Sequence, residues 1–186
     1  MRVLVACEFS GVVRDAFLEA GHDAMSCDLL PTESPGPHYQ GDVRDVLDDG
    51  WDMMIAHPPC THLAVSGARW FSRPEKKALQ EEALDFVRLL MDAPIERIAI
   101  ENPRSIISSR IRPADQMVQP WQFGVPENKG IHWWLKNLPK LEPTDVVPKE
   151  LRKDRVWLMP DTKDRWKKRS MFYPGVARAM ARQWGT

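Results

Sequence analysis

The sequence predicts an α/β domain built on a mainly parallel sheet with helices on both faces. Short apolar runs alternate with runs whose apolar residues recur at helical spacing, the pattern of strand–helix–strand units. Polar or reactive residues gather at the ends of four of the strand runs: Glu8 to Gly11, Asp28, His57 to Cys60, and Glu101-Asn102. Open α/β sheets bind ligands beyond the carboxyl ends of their strands, so the four ends predict one functional rim. The 186 residues, 28% charged and 43% hydrophobic, suit a single globular domain over 1–186.

Each element follows from local chemistry. Val3 to Cys7 is a short apolar strand. Val12, Val13, Ala16, Phe17 and Ala20 lie at helical spacing, and Gly21 is a C-terminal stop. Asp23 to Cys27 forms a second strand ending at Asp28, followed by a loop rich in proline (Pro31, Pro35, Pro37). Trp51 to Ala56 is a third strand, closed by His57-Pro58-Pro59. Ser72-Arg73-Pro74-Glu75 has the form of a capping box with proline in the first turn, and Leu79, Ala83, Phe86, Val87 and Leu90 are expected on the buried face behind it. Arg97 to Ile100 is the next strand, Ile131 to Leu135 and residues 155–158 are later ones, and Pro174 to Trp184 is a C-terminal helix.

Composition excludes several classes. No apolar run reaches the ~20 residues of a membrane span, and the N-terminus enters a strand with no signal segment before it. A cytoplasmic location is expected. Cys7, Cys27 and Cys60 have no paired metal-ligand spacing and are expected as thiols, with no metal site. The net charge is zero, but Lys149 to Arg182 carries eleven basic residues against four acidic, and Asp42 to Asp52 five acidic against one basic. The basic stretch is either a solvated face or a phosphate-contacting one. The tryptophans are expected in the core.

Three constellations carry chemistry. In Glu8-Phe9-Ser10-Gly11 the glycine permits close backbone approach and the helix N-terminus attracts polar groups; taken alone, it is also a tight turn. Asp28, 17 residues after Gly11, suits a ribose with free hydroxyls, and the pair favours a nucleoside-type cofactor. Pro58-Pro59-Cys60 stiffens a turn and presents a thiol, which is a nucleophile if activated and a small buried residue if not. His57 either tunes that thiol or makes a structural hydrogen bond. Glu101-Asn102-Pro103 offers a carboxyl group able to share a proton with a ring nitrogen, or an acid at a helix start. A thiol and a carboxyl at adjacent strand ends suit covalent activation of a pyrimidine.

These residues, in this order, resemble the cytosine-C5 DNA methyltransferases, and in particular small phage-type members without a target-recognition domain. Phe9-Ser10-Gly11 is similar to the first cofactor motif, Asp28 to the acid after the second strand, and Gly41-Asp42-Val43 to the segment contacting adenine. Pro59-Cys60 resembles the catalytic loop, Glu101-Asn102 the Glu-Asn pair, and Phe123 to Lys129 the aromatic-Gly-Val-Pro segment. Arg169-Ser170 and the Pro174 helix resemble the last motif, which folds back to the cofactor.

The resemblance implies a Rossmann-like, S-adenosylmethionine-dependent methyltransferase fold. It implies Cys60, Glu101 and Asn102 as catalytic residues. Phe9, Ser10, Gly11, Asp28, Leu29, Asp42, Val43, Pro58 and Ser170 would bind the cofactor, and Pro59, Thr61, Lys129 and His132 the substrate. Cys60 would add to C6 of cytosine, Glu101 would hold the N3 edge, and C5 would take the methyl group. A base in duplex DNA would have to leave the stack.

Departures stand beside the likeness. Val12 and Val13 occupy positions where the family has further glycines, Thr61 one where glutamine is common, and Pro103 follows Asn102. Only about 40 residues separate Lys129 from Ser170, too few for a usual recognition domain. The partner is therefore DNA, single- or double-stranded, or a pyrimidine nucleotide or RNA, with target recognition supplied by a second copy or another protein. A non-catalytic cofactor- or nucleic-acid-binding module is the reading from another class. An amino-group methyltransferase, suggested by Pro58-Pro59, is disfavoured by Cys60.

Overall fold

A central run of strands carries the fold. β1 (Arg2–Ala6), β2 (Asp23–Asp28), β3 (His38–Gln40), β4 (Met53–Ala56) and β5 (Arg97–Asn102) lie parallel, and β6 (Gln116–Val118) and β7 (Ile131–Lys136) add an antiparallel edge. The sheet order is β3-β2-β1-β4-β5-β7-β6. The helices are α1 (Val12–Glu19), α2 (Pro74–Met91), the short α3 (Ile107–Arg110) and α4 (Pro174–Trp184). This computed structural model describes residues 1–71, 73–154, 162 and 170–186. The capping residue Ser72, the strand expected at 155–158, Trp166 and Arg169 lie outside the described residues.

The inner strands read as unbroken apolar runs because both of their faces are covered. Alternate side chains go to opposite layers. Val3, Val5, Met53, Ile55 and Ala99 face one core with Val13 and Phe17 of α1 and Val176 and Met180 of α4. Leu4, Ala6, Met54, Ala56, Ile98 and Ile100 face the other, with Leu84, Val87 and Leu90 of α2. Trp133 and Trp184 meet edge to face with ring centres 5.4 Å apart in the first core, and Trp134 is buried in the second. Helices on both faces of a mainly parallel sheet are therefore observed. Among the described residues no helix is long and apolar enough to cross a membrane.

Boundaries differ from the sequence reading in ways with physical causes. β1 ends at Ala6 because Cys7 turns to φ +59°. β4 begins at Met53; Trp51 instead turns its indole Nε1–H to the Val46 carbonyl at 2.7 Å. At α2 the cap position is Arg73, whose side chain makes no capping bond, and Pro74 opens the helix. The buried stripe of α2 runs through Gln80, Leu84, Val87 and Leu90, so Leu79 is exposed. Gly21 does stop α1: at φ +85° its N–H reaches the Leu18 carbonyl and the His22 N–H the Phe17 carbonyl.

Candidate active site

Parallel pairing brings the strand ends together. Ala6 lies beside Cys27 on β2 and Ala56 on β4, and Ala56 beside Ile100 on β5. The residues that follow β1, β2, β4 and β5 therefore share one rim, on which the sequence had placed them.

At the end of β1 the N-terminus of α1 is closed by the chain itself. The buried Glu8 carboxylate accepts the Val13 N–H at 2.7 Å and the Arg14 N–H at 3.2 Å, and the Ser10 hydroxyl accepts the Val12 N–H at 3.4 Å and donates to Glu8 at 3.2 Å. A carboxylate there satisfies the helix dipole. Phe9 and Ser10 are buried, and Gly11 holds the left-handed cap conformation at φ +76°. The wall is secured by Arg14, 0% exposed, which donates to Ser26, Thr32 and the Ser34 carbonyl and pairs with Asp15. Arg14 thus pins the proline-rich loop to β2, a role invisible without the fold.

A cleft opens beside this wall. Asp28, Leu29, Asp42, Val43 and Pro59 line it, together with Gly41, Cys7, Cys27 and Phe86. Phe86 comes from α2, and helical spacing alone could not aim it here. Asp28 accepts the Leu30 N–H at 2.9 Å; burial pushes its carboxyl above the ordinary 3.8, partly offset by that bond and by His38. Asp42 caps the following turn, and the Arg44 N–H at 3.0 Å and guanidinium at 2.7 Å hold it below the usual range. Burial pushes the Cys27 thiol up to about 12 and raises Cys7 as well, so neither is a ready nucleophile. Leu29 is 73% exposed at the mouth. Phe9, Ser10, Gly11, Pro58 and Ser170 do not line the cleft; Ser170 is exposed.

The donor set fits S-adenosylmethionine. Asp28 suits ribose hydroxyls, and Leu29, Val43, Pro59 and Phe86 offer apolar walls to a base. No basic residue lines the cleft among the described residues, and the α1 amides are already taken by Glu8, so a phosphate finds no cradle while a cationic ligand meets two acids.

Next to the cleft stands the thiol loop. Pro58 is buried and Pro59 and Cys60 are exposed, so Cys60 is not the small core residue that a lone cysteine often is. The Cys60 carbonyl accepts the Leu63 and Ala64 N–H groups, and fully buried Leu63 anchors the turn. From α2, Lys76 donates to the Thr61 carbonyl at 2.9 Å and to His62 Nδ1 at 2.7 Å. Thr61 itself is exposed. Buried Asn102 donates from Nδ2 to the Pro58 carbonyl at 2.9 Å, tying the loop to β5.

Glu101 lies within β5, not at a helix start. Its Oε2 is 3.3 Å from His57 Nδ1, with both side chains mostly buried. Burial alone would raise Glu101, but the His57 hydrogen bond and the nearby charges of His57, Lys129 and His132 outweigh it and hold the carboxyl below its ordinary range. The free protein therefore carries an ionised Glu101, able to accept a hydrogen bond. His132 pairs with Asn102 across the β5–β7 ladder; burial lowers its imidazole, opposed by Glu101. The Lys129 ammonium sits 5.4 Å from the Tyr173 ring centre. His57 contacts Glu101 and Phe172, a site residue whose partner the sequence could not name. Among the described residues no group of three or more His, Cys, Asp or Glu is disposed to hold a metal ion.

No family model and no curated protein matches the chain. Solved structures do. A prophage-encoded E. coli protein described as a DNA modification methyltransferase matches with TM-score 0.52 and 18% identity, covering 87% of this chain and 56% of that one. The fold is that of a methyltransferase. S. pombe Dnmt2 methyltransferase (TM-score 0.50, 16% identity) covers 75% of this chain and 51% of its own, and Entamoeba histolytica methyltransferase EhMeth (0.50, 14%) covers 79% and 57%. The chain thus spans little more than half the length of these proteins. The methyltransferase fold, Rossmann-like with its sheet mainly parallel, accounts for the common rim and the cleft at its edge.

Proposed function

We propose that this chain transfers a methyl group from S-adenosylmethionine to C5 of cytosine in DNA through a covalent Cys60 adduct. One observation carries the reading: Pro59 is a wall of the cleft and Cys60 is the next residue, exposed, so the nucleoside site and the thiol adjoin. Bound S-adenosylmethionine would supply the methyl group as an electrophile. The exposed Cys60 thiol would lose its proton to solvent and attack C6 of the ring as the thiolate. Glu101 would engage the ring-nitrogen edge as electron density builds there, and Asn102 would keep the loop in register through Pro58. The fold shared with proteins described as methyltransferases supports group transfer, and the prophage-encoded neighbour's description as a DNA modification methyltransferase supports DNA.

The short interval from Lys129 to Ser170, about 40 residues, favours a second reading: the same chemistry on single strands, RNA or a free pyrimidine nucleotide, or on duplex DNA with recognition supplied by a partner. Labelled S-adenosylmethionine incubated with duplex, single-stranded DNA and dCMP, followed by digestion to nucleosides, distinguishes these. Label in 5-methyldeoxycytidine, lost in Cys60→Ala with cofactor binding retained, is the expected result. Undiminished label in that variant, or none from the wild type on any substrate despite cofactor binding, contradicts the reading and leaves a non-catalytic module.

A further inference from the structure

We propose that His57 is a positioning residue for Glu101 that also stores the proton the pyrimidine ring nitrogen takes up during thiol attack; this rests on the function proposed above. His57 occupies the position just before Pro58-Pro59-Cys60, at the end of β4, and Glu101 is at the end of the adjacent β5. Its Nδ1 lies 3.3 Å from Glu101 Oε2, and the two side chains are only 12% and 14% exposed. Its ring packs on Phe172, ahead of α4, with centres 4.8 Å apart. Its Nε2 is buried without a hydrogen-bond partner among the described residues, so the Nδ1–carboxylate bond and the Phe172 packing orient the ring.

The chemistry needs such a group. When a thiol adds to C6, electron density moves onto the ring-nitrogen edge, and a proton delivered there stabilises the product. Glu101 faces His57 from β4, Lys129 from the segment before β7, and His132 from β7 itself; Arg104 in turn opposes a charge on His132. A carboxylate in that setting is ionised and accepts hydrogen bonds; it has no proton to give. A His57 ring protonated at both nitrogens, paired with that carboxylate across 3.3 Å, would have one. The Cys60 thiol gives its proton to water, and as the thiolate forms the S–C6 bond the Nδ1 proton passes to the Glu101 carboxylate and from it to the ring nitrogen. After C5 has taken the methyl group and lost its proton to water, the S–C6 bond breaks and the thiolate leaves. The ring-nitrogen proton then returns through Glu101 to His57. The pair ends the cycle as it began, and no oxidant or reductant is needed.

The test uses the full chain. His57→Asn places an amide nitrogen where Nδ1 stood, keeping the hydrogen bond but not the proton. Its kcat on cytosine DNA is expected to fall about 100-fold, with KM for DNA and cofactor binding unchanged. His57→Ala with added imidazole is the second variant, expected to recover activity with imidazole and not with an equal concentration of acetamide. Circular dichroism and cofactor binding check that both variants fold. A raised KM with unchanged kcat in His57→Asn, with no imidazole rescue of His57→Ala, would overturn the role while leaving the proposed function standing. A wild type that binds cofactor but methylates no cytosine would overturn both.

Discussion

Asn102 shows how a single side chain couples strand to site. It is 1% exposed, and its Nδ2 donates to the carbonyl of Pro58, whose ring has no N–H to help satisfy the turn. Asn102→Ala leaves a buried carbonyl without a donor. A stability loss of about 1–3 kcal/mol is expected in urea unfolding, with methyl transfer falling further than cofactor binding because the loop, not the cleft, is released. Asp28 makes the complementary prediction. Burial raises its titration above the ordinary 3.8. The ionised form is the one that accepts ribose hydroxyls, so cofactor affinity should fall as pH drops through that raised window. Asp28→Asn should bind about tenfold more weakly, equivalent to about 1.4 kcal/mol, and lose that dependence, as titration calorimetry would measure. The same shift costs the free protein stability above the window, because the unfolded chain ionises first. At this scale much was legible in the sequence. Proline stiffness, an acid after a strand and a thiol in a turn are visible as residue types. The His57–Glu101 bond and the Glu8 cap were not, because each joins groups whose distance only the fold sets.

Elements were legible where the pattern was long and uniform. The apolar runs of β1, β4 and β5 and the helical spacing of α1 and α4 follow directly from burial on two faces. β3 and β6, three residues each, carry too little periodicity to stand out. Their places come from pairing with β2 and β7. The face of α2 was misjudged by one residue at Leu79, because nearly every position of that helix that is not charged is apolar or long. α4 supplies a sharper test. A Cβ added at Gly175 would come 1.9 Å from the Phe123 carbonyl oxygen, a backbone atom that cannot swing away. The segment at Phe123 and the start of α4 therefore fit only with glycine between them. Gly175→Ala is expected to cost about 2–3 kcal/mol in thermal or urea unfolding, although alanine is the better helix former. Unchanged stability would contradict the packing described.

For the molecule as a whole, two apolar layers hold the sheet so that its strand ends meet. The cleft lies over β1 and β2, the thiol loop follows β4, and the carboxylate stands on β5 beside the antiparallel β7. That order predicts a division of labour. Changes around Asp28 should act on cofactor affinity, changes around Glu101 and His57 on turnover, and Pro59-Cys60 should join the two. The overall charge of zero conceals this, since the acids of the cleft and the basic residues toward the C-terminal end sit apart along the chain. What the sequence could not convey is the ionisation of Glu101, which is a collective effect of His57, Lys129 and His132.

The most direct test of the central claim is a covalent trap. DNA in which 5-fluorocytosine replaces cytosine has no C5 proton to release, so a C5 methyl transfer begun by thiol addition cannot be completed. Incubated with the protein and S-adenosylmethionine, it should give a denaturation-stable protein–DNA complex, with peptide mass spectrometry placing the link at Cys60 and Cys60→Ala giving none. Turnover on ordinary cytosine with no trapped complex on the fluorinated strand, or a link at any other residue, would contradict the account.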